Sequence, residues 1–242
     1  MIRKRILGLF LLSFLTTHAL AQDFWNEPFE KWNRGQVLKI INDSPWARSE
    51  TLTTLLGGRD AGLQGNKEIY NKFTVRFFSA LPVREAYVRM MQILNKYDEM
   101  NDDQRRDFDS RFKRALNLDV NDRVIISLDF ASNDNDTNRE MKLFLDTART
   151  DTIKQNVYLI SQRLGRIELR EYFPPSSDGT GAKFIFPRSV NGKEVVDPAD
   201  KEVRFEFNFP LIDRNAGGAR NMQRLLVNFK VPKMLYRGQL SY

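Results

Sequence analysis

The chain has 242 residues, with 38 Lys and Arg against 31 Asp and Glu, a single His and no Cys. Disulfides, thiol nucleophiles and cysteine metal ligands are therefore excluded, and a lone His18 cannot build a histidine zinc site. The 41% hydrophobic and 29% charged fractions are those of a globular protein. Acids and bases are interleaved, without the basic stripe that nucleic-acid binding requires.

The first 21 residues read as a signal peptide. Met1–Arg5 is basic, Ile6–Leu15 is a run of ten apolar residues, and Ala19-Leu20-Ala21 has small residues at both positions a signal peptidase needs. Ten residues of helix rise about 15 Å, half of a ~30 Å bilayer core, so the segment is too short to anchor. Cleavage removes Arg3, Lys4, Arg5 and His18, takes the formal charge from +7 to +4 and leaves 221 of the 242 residues. No later apolar stretch approaches 18 residues and no Cys follows the leader. The expectation is an exported chain, periplasmic or extracellular, with no membrane span after cleavage and no Ser-His-Asp triad.

Residues 22–66 form a Trp-rich segment that ends in a glycine-rich loop. Phe29, Trp32, Leu38, Ile40 and Ile41 approximate helical spacing from Pro28 to Asn42, with Asn26 as a candidate start. The loop 57–66 fits neither the GxGxxG nor the Walker pattern and reads as a connector.

From 67 to 242 the pattern suggests an α+β domain. Phe73, Val75 and Phe77 alternate within a strand over 69–79. Val83, Ala86, Tyr87, Met90, Met91, Leu94 and Tyr97 make a helical stripe after Pro82. Asn101 with Gln104 resembles a capping box for a second helix, so a helical hairpin is expected. Val124–Phe130 reads as a buried strand and Asn138–Thr150 as a helix. Strands follow at 157–161, 166–172, 183–187, 201–209, 223–230 and 234–242. Asn191-Gly192 suits a two-residue hairpin turn, and 174–181 and 215–218 are turn-rich. The predicted class is α+β, with a helical N-terminal half containing the hairpin and an antiparallel sheet or sandwich in the C-terminal half.

Three groups of residues carry candidate chemistry. Trp25, Trp32 and Trp46 supply ring area for a core or for a sugar-stacking platform. Asn133-Asp134-Asn135-Asp136 offers oxygen ligands that make Asp134 and Asp136 a candidate Ca²⁺ site. The EF-hand template, however, wants Gly and Glu where Arg139 and Leu145 stand, and a helix cap is the competing reading. Glu202 and Glu206 share one face of a strand but lie about 13 Å apart at strand rise, too far for a glycosidase pair. With Arg204 between them they read as a solvated face. The final residues, Met234 to Tyr242, alternate like the last strand of a membrane barrel, but the charged, short strands favour an ordinary sheet.

Trp32 to Ala47 (ending Asn42-Asp43-Ser44-Pro45-Trp46-Ala47), Thr74 to Ala86, Phe186-Pro187-Arg188 and Phe229 to Leu240 occur in that order. Together they resemble an uncharacterised family of exported acidobacterial proteins, some labelled as GWxTD domain-containing. The resemblance implies one family-specific exported domain and carries over no catalytic residue.

With His and Cys missing from the mature chain, the expected function is non-enzymatic. It is an exported domain that binds a protein or glycan partner in the cell envelope, without a cofactor. The alternative is a carboxylate-dependent hydrolase of envelope polysaccharide, which needs two acids in one cleft and at least one raised pKa.

Overall fold

A computed structural model describes residues 24–56, 67–213 and 219–242. The expected leader 1–21, the loop 57–66 and the turn 215–218 lie outside these residues. Two antiparallel sheets face each other. The first contains β1 (Ala47–Leu56), β2 (Lys67–Phe77), β3 (Arg123–Ser132), β6 (Glu171–Phe173) and β7 (Ala182–Pro187), in the order β1-β2-β3-β7-β6. The second contains β4 (Val157–Ser161), β5 (Gly165–Glu168), β10 (Glu202–Asp213) and β11 (Ala219–Lys230), in the order β11-β10-β4-β5.

Period-two alternation places the core between the sheets. Val203, Phe205, Phe207 and Phe209 of β10 point inward and are buried. They meet Phe73 of β2 and Phe184 and Phe186 of β7. Ring centroids are 4.9 Å apart for Phe73–Phe209, 5.4 Å for Phe184–Phe205 and 5.5 Å for Phe184–Phe207. Phe77 packs edge-on against Phe229 of β11 at 4.8 Å. The architecture is an α+β sandwich, with aromatic pairs spanning the layer.

Helices close its rim and one outer face. α1 (Arg34–Asn42) begins at a capping box in which Asn33 and Gln36 exchange side-chain and backbone bonds. Arg76, buried on β2, donates to the Ile41 carbonyl and to Asn42 Oδ1, tying the end of α1 to the sheet. α2 (Leu81–Leu94) and α3 (Asp102–Leu116) form the expected hairpin, and Asn101 and Gln104 make the expected capping box. Arg84, near the start of α2, donates to the Ala115 and Leu116 carbonyls that end α3, which makes the two helices antiparallel. α4 (Asn135–Thr147) stacks Phe144 on Phe207 at 6.2 Å, and the short α5 (Thr150–Ile153) leads into β4. Among the described residues no helix is long and apolar enough to cross a membrane.

The structure departs from five expectations. The N-terminal half is mixed rather than purely helical: α1, α2 and α3 share it with β1 and β2, which contribute two of the five strands of the first sheet. β1 carries little apolar alternation, since it is an edge strand whose outer residues Thr51, Thr53, Thr54 and Leu55 are exposed. It pairs with β2 through ten residue pairs, so the expected division at residue 66 falls within one hairpin. The helix expected over 28–42 is two 3₁₀ turns, at 24–26 and 29–31, followed by α1. Its start is Asn33, while Asn26 accepts a bond from the Arg237 backbone N–H.

The strand expected over 166–172 is broken. β5 belongs to the second sheet and β6 to the first, and the chain crosses between them at Leu169-Arg170. The final strand expected over 234–242 is likewise broken: after a 3₁₀ turn at 231–233 it is a small hairpin of β12 (Leu235–Tyr236) and β13 (Gln239–Leu240). This hairpin turns through Arg237 and Gly238 at φ of 50° and 77°. Asn191 and Gly192, at φ of 51° and 73°, make the expected turn between β8 (Ser189–Val190) and β9 (Lys193–Glu194).

Phe205→Ala should cost about 3–5 kcal/mol, because it removes a ring that meets both Phe184 and Phe186. Leu143→Ala, at a side chain in solvent, should stay within about 0.5 kcal/mol. Urea unfolding of the two variants checks both.

Candidate functional site

The three tryptophans sit at one end of the sandwich. Trp32 and Trp46 are fully buried and Trp25 is 8% exposed. Edge-to-face contacts link Phe24 to Trp25 at 5.1 Å, Trp25 to Trp46 at 5.6 Å and Trp46 to Tyr236 at 6.2 Å. The Trp46 indole donates to the Ser241 carbonyl at 2.8 Å, while the N–H groups of Trp25 and Trp32 are buried without an acceptor. The rings of Trp32 and Trp46 therefore serve the core. Of the three, Trp25 lines a surface cleft.

That cleft has a volume of about 390 Å³. Trp25, Pro45, Pro232 and Leu235 give it apolar walls, and Lys39, Arg48, Lys233 and Asp43 give it charge. Its frame is fixed from several directions. Lys39 lies in the last turn of α1, Arg48 on β1, and Lys233 and Leu235 on the C-terminal segment. Ser44 donates to the Ile40 carbonyl at 2.8 Å and accepts from the Trp46 N–H at 3.2 Å, setting the turn between α1 and β1. Arg48 is paired with Asp43 at 2.9 Å. Lys39 and Lys233 are exposed and have no ion-pair partner among the described residues. Nothing in the spacing of 39, 48 and 233 announces this grouping, because the fold alone brings them together.

Two other clefts are differently built. One, of about 400 Å³, lies between α2 and α3 and is lined by Phe29, Val88, Tyr97, Phe112 and Leu116 with Glu30, Asp109 and Lys113. The other, of about 280 Å³, sits beside β3 and α4, with Leu128, Phe130, Leu145, Asp129 and Lys142.

The acids of the β10 face are each held by arginine. Glu206 is not a solvated member of its strand face. Its side chain is 2% exposed, held by Arg166 at 3.1 Å and Arg224 at 2.8 Å. Burial works against its charge, but the bonds from Arg224 and Asn208 and the nearby Arg166 win, and its pKa is lowered. Glu202 is paired with Arg204. The Glu85 pKa is raised. Burial is the main cause, opposed by a hydrogen bond from the Tyr236 hydroxyl and by Arg237 at 3.6 Å. Glu85 lines none of the three clefts.

Asp134 and Asp136 face different partners. Asp134 caps α4: one oxygen accepts from the Thr137 N–H and hydroxyl, both at 2.9 Å, and the other meets Lys67 at 3.1 Å. Asp136 is exposed and paired with Arg139. An ammonium thus occupies the oxygen that a calcium ion would need. Among the described residues no group of three or more His, Cys, Asp or Glu side chains converges as a metal site.

The chain matches no protein-family model, no curated protein and no solved structure.

Two predictions test these assignments. A carboxyl whose pKa is raised by folding binds its proton more tightly in the native state. Its contribution is largest in acid and is lost as pH climbs from the ordinary carboxylate value through the raised one. Glu85→Gln keeps an acceptor for Tyr236 and has no charge to bury. Its Tm should equal that of the wild type near pH 4 and exceed it at pH 7, as read by thermal unfolding across that range. Asp134→Ala should cost about 1–2 kcal/mol through the lost cap, whether calcium or chelator is present, as denaturant titration in each condition would measure.

Proposed function

We propose that the protein is a binding domain of the cell envelope, and that it takes a glycan or protein partner in the cleft beside Trp25. The observation that carries this reading is the cleft's construction. Trp25, packed edge-on against buried Trp46, lines it, and three cations from the end of α1, from β1 and from the C-terminal segment share that lining. Rigid framing of this kind lowers the ordering cost of binding. The leader read from residues 1–21 supports delivery to the periplasm or the outside. The resemblance to exported acidobacterial proteins supports the same compartment.

Leu235 is 46% exposed on the cleft wall, so Leu235→Trp should fill the cleft while leaving the core intact. Wild-type protein should be retained by isolated cell-envelope material, and L235W at unchanged Tm should lose most of that retention. Equal retention of the two proteins in a sedimentation assay would refute the assignment of this cleft.

A further inference from the structure

Resting on that reading of the Trp25 cleft, we infer that its ligand is an acidic glycan, a sugar chain bearing carboxylate or phosphate groups. The charge on the cleft is one-sided. Lys39, Arg48 and Lys233 face a single acid, Asp43, and Asp43 is spent on Arg48 at 2.9 Å. Two ammonium groups are left at the mouth with no partner among the described residues. The α2–α3 cleft carries two acids against one lysine, and the third cleft balances Asp129 against Lys142. Of the three clefts, the one beside Trp25 is the one with an excess of cations to complement an anion.

The remaining walls suit a sugar. Pro45, Pro232, Leu235 and Trp25 offer aliphatic and aromatic surface for the C–H faces of a pyranose. The volume of about 390 Å³ lies in the range of clefts that enclose small ligands rather than flat protein contacts. Lysine in place of arginine at the two unpaired positions suits a point-charge contact to a flexible polymer rather than a fixed bidentate clamp.

The test uses purified full-length protein, with intrinsic tryptophan fluorescence and calorimetry as readouts. The probes are polygalacturonate, a phosphate-bearing teichoic polymer and neutral dextran. Binding to at least one acidic polymer is expected at 50 mM NaCl, at least tenfold weaker at 0.5 M as the charges are screened, with dextran silent. Lys39→Glu/Lys233→Glu should weaken that binding at least tenfold at unchanged Tm, while the control pair Lys113→Glu/Lys142→Glu should leave it intact. Which acidic polymer binds tells carboxylate from phosphate.

Dextran binding as tightly as the acidic polymers would overturn the acidic-ligand inference. So would full affinity in the Lys39/Lys233 variant when L235W still abolishes binding to envelope material; the cleft would then stand as the binding site. Acidic-polymer binding untouched by both variants would overturn the inference and the site together.

Discussion

Everything in this molecule hangs on the alternation of β10. Its inward residues, Val203, Phe205, Phe207 and Phe209, form one continuous apolar row, and a strand can bury such a row only against a second sheet. The strands that answer it carry matching rows: Phe73, Val75 and Phe77 on β2, Val124, Ile126 and Leu128 on β3, and Phe184 and Phe186 on β7. Once those faces meet, the outward residues are assigned by the pleat. They become either the bed for the helices, as at Arg76, or a polar face on which Arg204 is half-buried and Glu206 is covered by Arg166 and Arg224. A one-residue slip in β10 would place four large apolar side chains in water and Glu202, Arg204 and Glu206 in the core, so the register is strongly specified.

The tryptophan end depends on that frame and in turn closes it. The Phe77 N–H donates to the Trp46 carbonyl at 2.8 Å, joining the aromatic cluster to the end of β2. Tyr236 packs on Trp46 and donates to Glu85, Ser241 Oγ accepts from the Leu81 N–H, and Arg188 stacks on Tyr242 at 3.9 Å. Helix α2, the C-terminal hairpin and the first tryptophan-bearing turn are thus held in one arrangement. The cleft beside Trp25 is the outer surface of this closure, so its shape follows from core packing rather than from a loop.

Legibility in the sequence followed the range of the interactions. Capping at Asn101, the Asn191-Gly192 turn, the β10 alternation and the cap reading of Asp134 are local, each decided within a few residues, and all are present. What was hidden is long-range. β1 shows no pattern because an edge strand answers to its partner more than to a core. The crossover at Leu169-Arg170 interrupts a run of residues that all favour strand, and only the position of β7, whose Ile185 carbonyl takes the Arg170 N–H at 2.8 Å, dictates the break. Glu206 looked like half of a charge-balanced surface, yet arginines 40 and 18 residues away bury it. The cleft residues Lys39, Arg48 and Lys233 are assembled the same way.

The bond from Trp46 to Ser241 spans 195 residues. A chain emerging from its N-terminus can pair β1 with β2 early, but Trp46 must wait for a segment 195 residues further on before it gains its acceptor. Until then the aromatic cluster has no lid, and its apolar surface stays open to whatever escorts the growing chain. Loop-closure entropy makes such a contact late in folding. The aromatic end of the sandwich therefore closes only after the residues around Ser241 have been made and folded back onto it.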